Sequence, residues 1–200
     1  MKNNVVFIMS YKKDINNKRI WNEISNITKK NFVNNGFKVK MVEGYNIKEY
    51  PEIKKNKLVY LNFINKAIIK GEKYLKNNND DGFFIAEDDA WINLSFDNLK
   101  QTIKLSPNTP LIRVGYQKIL KENLPRGYFC VGAQLQWIPR NMIEQIKKVM
   151  TINKAQHLDG FLSKNIELDI VLAEKGLVSE CAHVSLTLEK YRNGKNCSNK

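Results

Sequence analysis

Glycine is scarce in this chain, ten among 200 residues, and none stands where a phosphate-binding loop would need it. The turn after the first apolar run reads Ser10-Tyr11-Lys12-Lys13-Asp14. The lack of glycine there argues against a P-loop nucleotidase and against a dinucleotide-binding Rossmann domain. Cysteine is scarcer still: Cys130, Cys181 and Cys197 are scattered with no metal-ligand spacing. The first two sit in apolar runs, as buried free thiols do, rather than disulfides or ligands. Histidine is limited to His157 and His183, and no serine or cysteine occupies a nucleophile elbow. No apolar stretch is long enough to cross a bilayer. Residues 1–5 lead straight into a strand rather than forming a signal peptide, so a soluble, cytoplasmic chain is expected.

Acidic residues are also in short supply. Twenty Asp and Glu face 33 Lys and Arg, giving a net charge of +13 and a pI near 9.6. That balance invites a nucleic-acid partner. The lysines, however, are spread along the chain (Lys12-Lys13, Lys29-Lys30, Lys54-Lys55, Lys147-Lys148) instead of forming one block. Lys, Asn and Ile abound together with Tyr and Phe, the usage an A/T-rich genome imposes whatever the function. No stable nucleic-acid complex is expected from charge of this kind.

What is present is an alternation. Val5-Val6-Phe7-Ile8-Met9 is an uninterrupted apolar run, as a strand buried on both faces requires. Over residues 19–34 Ile20, Trp21, Ile24, Ile27 and Phe32 follow a helical period, and Asn35-Gly36 stops it. Residues 37–42 alternate as a strand, residues 58–75 read as a helix, and residues 83–86 as a third strand. Further on come a short helix at 94–105, a strand at 110–115 and an extended segment at 128–138, interrupted near Gly132. Pro139 begins another helix, a helix or two broken ones span 158–175, and 177–188 is a last extended return. Strands alternating with helices predict one α/β domain with a central, mainly parallel mixed sheet, covering residues 1–190. Residues 191–200 are a polar tail. No repeat or linker divides the chain.

The third strand ends in Glu87-Asp88-Asp89. Adjacent carboxylates at a strand tip repel one another unless a positive charge sits among them. A hard divalent cation bound through oxygen would supply it and could go on to hold a phosphate. The plainer reading is an acidic turn or a helix cap at Asp89. Open α/β sheets place their ligands at this end of the strands.

Phe84-Ile85-Ala86-Glu87-Asp88-Asp89-Ala90 resembles the metal-binding "LEDD" motif of family 25 glycosyltransferases, nucleotide-sugar enzymes of the GT-A fold that build lipopolysaccharide or glycosylate collagen. Gly132-Ala133-Gln134-Leu135-Gln136-Trp137-Ile138 resembles the family's Gly-x-x-x-Tyr-x-x-Ser segment, with Trp137 in place of the Tyr. His157-Leu158-Asp159-Gly160-Phe161-Leu162 resembles its Val-Asp-x-x-Leu element. The Asn-x-x-x-Arg segment that follows the family's first strand is matched only loosely, over residues 14–19. Small glycosyltransferases of large algal viruses have a similar layout, for which the location would be the host cytoplasm.

The resemblance implies a metal-dependent, inverting transfer from a nucleotide sugar, UDP favoured, to a glycan or glycoprotein acceptor. It implies Asp89 and Glu87 as ligands of Mn²⁺ or Mg²⁺, with His183 completing the site. Asp88 or Glu87 would contact the ribose, and Asp159 would be the general base, with Asp169 as fallback. Ser10 and Tyr11 would hold the base of the nucleotide, and Arg19 and Arg113 the diphosphate. Each of these residues also has an ordinary structural reading, as a cap, a strand histidine or a surface charge. Two other functions use the same raw material: a metal-dependent nucleotidyltransferase or nuclease, and a basic nucleic-acid-binding protein.

Overall fold

The computed structural model describes residues 3–11, 18–44, 62–150, 158–180, 183–185 and 190–192. A six-stranded sheet of order β2-β1-β3-β8-β5-β9 organises them. Its strands are β1 (Val5–Tyr11), β2 (Lys38–Gly44), β3 (Gly82–Glu87), β5 (Leu111–Gly115), β8 (Leu135–Pro139) and β9 (Ile170–Leu172). β1 runs parallel to β2 and β3, and β5 parallel to β9. β8 is antiparallel to both its neighbours, β3 and β5. Reversing at β8 and again at β5 leaves every other strand of this sheet pointing one way. The expected mainly parallel α/β sheet is therefore present.

Both faces are covered, which is why β1 and β3 are apolar without alternation. On one face Val5, Phe7, Met9, Phe83 and Ile85 pack against α2 (Ile69–Lys76), α4 (Ile143–Val149) and α5 (Leu158–Lys164). A π-helical turn, Asn62–Ile68, leads into α2, so the described part of the expected 58–75 helix starts wide. On the other face Val6, Ile8, Phe84 and Ala86 meet α1 (Lys18–Asn34) and α3 (Phe96–Thr102). There Phe37 stands edge-on to Phe32, Phe84 and Phe96, with ring centroids 5.2–5.5 Å apart, the favoured aromatic arrangement. Ser95 caps α3, its hydroxyl accepting from the Asn98 N–H at 3.3 Å. No described helix is long and apolar enough to cross a membrane.

Three departures from the sequence reading have local causes. The helix expected over 158–175 stops at Lys164, and Ile170–Leu172 is a strand instead. Arg126 donates from Nε to the Asn165 carbonyl at 3.0 Å and reaches the Leu168 carbonyl, so a side chain satisfies groups the helix would have used. β4 (Ala90–Ile92) follows the acids directly, with no helix until Ser95, because it pairs with β10 (Val178–Glu180). β6 (Lys118–Lys121), in a stretch to which periodicity assigned nothing, forms a hairpin with β7 (Tyr128–Val131), the first part of the expected extended segment. All four residues of β6 are exposed, so no buried face marks it in the sequence. Near the tail, β12 (Lys190–Arg192) pairs with β11 (His183–Ser185), so backbone pairing runs past residue 190.

Candidate functional site

The acids stand at the carboxyl end of β3. Glu87 is its last residue, and its N–H donates to the Gln134 carbonyl at 3.0 Å. Asp88 and Asp89 make the turn into β4 and are buried, 3% and 5% exposed. α1 fixes that turn. The Thr28 hydroxyl donates to the Asp88 carbonyl at 2.6 Å. The Asn31 amide treats Ile92 as a neighbouring strand would, donating to its carbonyl at 3.2 Å and accepting its N–H at 2.8 Å. One turn earlier the Ser25 and Ser10 hydroxyls lie 3.0 Å apart. Ser25, Thr28 and Asn31 are spaced three apart and so share a helix face, and all three are buried. The apolar period of α1 does not reveal this stripe, although its i, i+3, i+6 spacing is visible in the sequence.

A second polar group lies under α5. Arg113 on β5 is 1% exposed, against the surface charge that composition allowed for it. One terminal nitrogen of its guanidinium donates to the Ser163 hydroxyl at 3.2 Å. The other donates to the carbonyls of Cys130, at 3.1 Å, and Gly132. Burial depresses its pKa, while Cys130, Asp159, Tyr128 and Glu87 around it act in the opposite sense. Asp159 is in the first turn of α5. One of its oxygens accepts the Gly160 N–H at 2.7 Å and the other the Gly132 N–H at 3.3 Å. It stands inside the first turn rather than at the cap that its plain reading supposed, and it ties α5 to the loop at Gly132. Gly132 has φ +87°, which a glycine takes without strain. Asp169, the fallback base, precedes β9 and gives its carbonyl to the Leu111 N–H at 3.0 Å.

Sheet register joins the two groups. Gln136 on β8 is opposite Ile85 on β3 and Arg113 on β5, and Glu87, two residues beyond Ile85, bonds to the backbone of Gln134. Alternation puts Ile85, Glu87, Gln136 and Arg113 on the α5 face of the sheet, and Gln134 lies in the bend just before β8. The structure therefore brings Glu87, Arg113 and Asp159 together at the carboxyl end of the parallel strands. Asp88 and Asp89 border them from the α1 side. Ser10 is occupied with α1. Tyr11 ends β1 and Arg19 lies within α1, but their side chains are outside what is described. So is that of His183, whose backbone pairs with Arg192. Among the described residues no three or more His, Cys, Asp or Glu gather as metal ligands. The donor chemistry of adjoining Glu87, Asp88 and Asp89 nevertheless suits a hard cation. Elsewhere, a groove of about 570 Å³ lined by Phe7, Lys40, Lys70, Lys73 and Tyr74 lies beside α2 and away from the acids.

No protein-family model matches the chain, and no curated protein matches it in sequence. Among solved structures it is similar to that of a glycosyltransferase involved in the glycosylation of the major capsid of PBCV-1, at 15% identity and a TM-score of 0.45. The match covers 73% of this chain and 65% of that one.

Proposed function

We propose that the chain is a metal-dependent glycosyltransferase that moves a sugar from a nucleotide sugar, UDP favoured, to a hydroxyl of a glycan or glycoprotein. The observation that carries this reading is the meeting of an acidic strand tip, a buried arginine and a helix-borne aspartate at one end of the sheet. A nucleotide-sugar transferase needs these three elements together. Acids hold a cation, fixed positive charge lies near the reacting centre, and a base stands within reach of the acceptor hydroxyl.

In this reading Asp89 and Glu87 hold Mn²⁺ or Mg²⁺, with His183 as a further ligand and Asp88 toward the ribose. The metal, when bound, supplies a Lewis acid for the charge that grows on the departing diphosphate. Asp159 accepts the proton of the acceptor hydroxyl as its oxygen bonds to the anomeric carbon. The bond from that carbon to the diphosphate breaks and the diphosphate leaves with the electron pair, so the anomeric configuration inverts. Both carboxylate oxygens of Asp159 already accept backbone N–H groups, which hold the side chain in one orientation. Arg113 keeps a full positive charge under the reacting centre, where low dielectric makes it count. Ser10, Tyr11 and Arg19 remain the proposed contacts for the nucleotide.

The lysine-lined groove beside α2 is the observation that favours a polyanion-binding alternative. A thermal-shift panel separates the two readings. UDP-, GDP- and dTDP-sugars are tested with and without Mn²⁺, beside a DNA duplex at low and high salt. The glycosyltransferase reading expects a metal-dependent shift with one nucleotide class. Stabilisation by duplex alone, lost steeply with salt, would replace it.

A further inference from the structure

Two buried glutamines lie at the centre of the site and have no use in the steps above. Gln134 is 2% exposed and Gln136 0%. Neither end of either amide has a hydrogen-bond partner among the described residues, and the Nε of Arg113 beside them has none either. Buried polar groups in folded proteins are almost always paired, so an amide orphaned at both ends is unusual and two adjacent ones more so. Their positions are fixed by the fold. Gln136 stands in register with Arg113. The Gln134 amide lies over Gly132, where an added Cβ would come within 2.6 Å of Nε2 and 2.7 Å of Oε1. Gly132 is the residue whose N–H holds Asp159 and whose carbonyl holds Arg113.

We infer that Gln134, Gln136 and the Arg113 Nε form the pocket that reads the hydroxyls of the transferred sugar, Gln134 being the outer contact and Gln136 the inner. An amide offers a donor and an acceptor side by side. Neighbouring sugar hydroxyls, each able to give and to take, complement it. The unsatisfied donor at Arg113 suits a further hydroxyl or ring oxygen. Placement agrees, since the sugar must lie between the metal-side acids and Asp159, and Gln134 is bonded through its backbone to Glu87 and packed over the Asp159 tie. Hydroxyls enter from the half-buried Glu87 and Asp159 side. Selection follows: a donor lacking the matching hydroxyl leaves the amides unpaired and is rejected. This inference rests on the glycosyltransferase reading.

The test uses Gln134→Met and Gln136→Met, which keep side-chain length and remove the amides. Affinity for the preferred nucleotide sugar and for the nucleoside diphosphate alone is measured by calorimetry, with melting temperature in parallel. Each variant is expected to weaken nucleotide-sugar binding about tenfold, the reach of one lost hydrogen bond, and to leave diphosphate binding within about twofold. Melting temperature should hold or rise, because replacing an orphaned amide by an apolar group of similar shape removes a cost. Equal loss for both ligands, or no loss for either, overturns the inference while leaving glycosyl transfer standing. A fall in melting temperature in both variants, with affinity kept, also overturns it by showing the amides to be internally satisfied. Wild-type protein that binds the diphosphate but no nucleotide sugar defeats the glycosyltransferase reading itself, and the inference with it.

Discussion

At the residue scale the site depends on groups whose environment their neighbours in sequence do not announce. Arg113 sits in Leu111-Ile112-Arg113-Val114-Gly115, and a single arginine in an apolar strand reads equally as an edge contact or as a buried charge. Its burial is decided by Ser163 and the Cys130 and Gly132 carbonyls, which are remote in the chain. Cys130 was legible: an apolar run around a lone thiol implies burial, and it is 0% exposed. Burial pushes its pKa up, with Arg113 acting against that and Asp159 with it. A thiol that resists ionising in the folded state costs nothing below the ordinary thiol pKa, about 8.5. Above that value the unfolded chain loses its proton first, so stability falls as pH rises toward the folded pKa. Melting temperature followed from pH 7 to 10 should therefore decline more steeply in wild type than in Cys130→Ala. Parallel curves would show that the Cys130 thiol ionises as easily folded as unfolded.

At the element scale the sequence displays what hydrophobic period can encode. β1, β3, β5 and the extended stretch broken at Gly132 all lie where pattern placed them. β9 escaped because a strand of three residues has no measurable period, and its neighbours read as the tail of a helix. The acidic motif was legible in place though not in support, since Thr28 and Asn31 hold its turn from 60 residues away and more. Contact between α2 and β3 gives a direct test. Gly71 faces the Phe83 ring so closely that an added Cβ would lie 2.1 Å from Cζ. Phe83 is fully buried and packed edge-on to Phe7 at 5.4 Å, so the ring has little room to retreat. Gly71→Ala should gain about 0.5–1 kcal/mol of helix propensity and lose about 1–3 kcal/mol to overpacking. A net fall in denaturation midpoint is expected. A rise would mean that α2 rides higher on the sheet than the structure places it.

At the scale of the whole molecule, one reversed strand makes the site possible. With β8 running against its neighbours, its amino-terminal end, Gln134 and the Gly132 loop, arrives beside the carboxyl-terminal ends of β3 and β5. Acids from one half of the chain thereby meet Asp159 from the other. The net charge of +13 says less, because the lysines that carry it are dispersed, whereas Arg113 is a buried cation near Glu87 and Asp159. The proposed glycosyl transfer requires the acidic tip and Asp159 to belong to one active centre. The most direct measurement is release of nucleoside diphosphate from the preferred nucleotide sugar in Mn²⁺, in wild type, Asp89→Ala and Asp159→Asn, with donor affinity and melting temperature recorded for each. The expected result is no turnover in Asp89→Ala with a nearly unchanged or slightly higher melting temperature, so that lost activity is not lost fold. Asp159→Asn should bind the donor as before and turn over about 10²- to 10⁴-fold more slowly. Full activity of Asp89→Ala, or of wild type in excess chelator, would contradict the claim, as would an Asp159→Asn enzyme that loses donor affinity and keeps its rate.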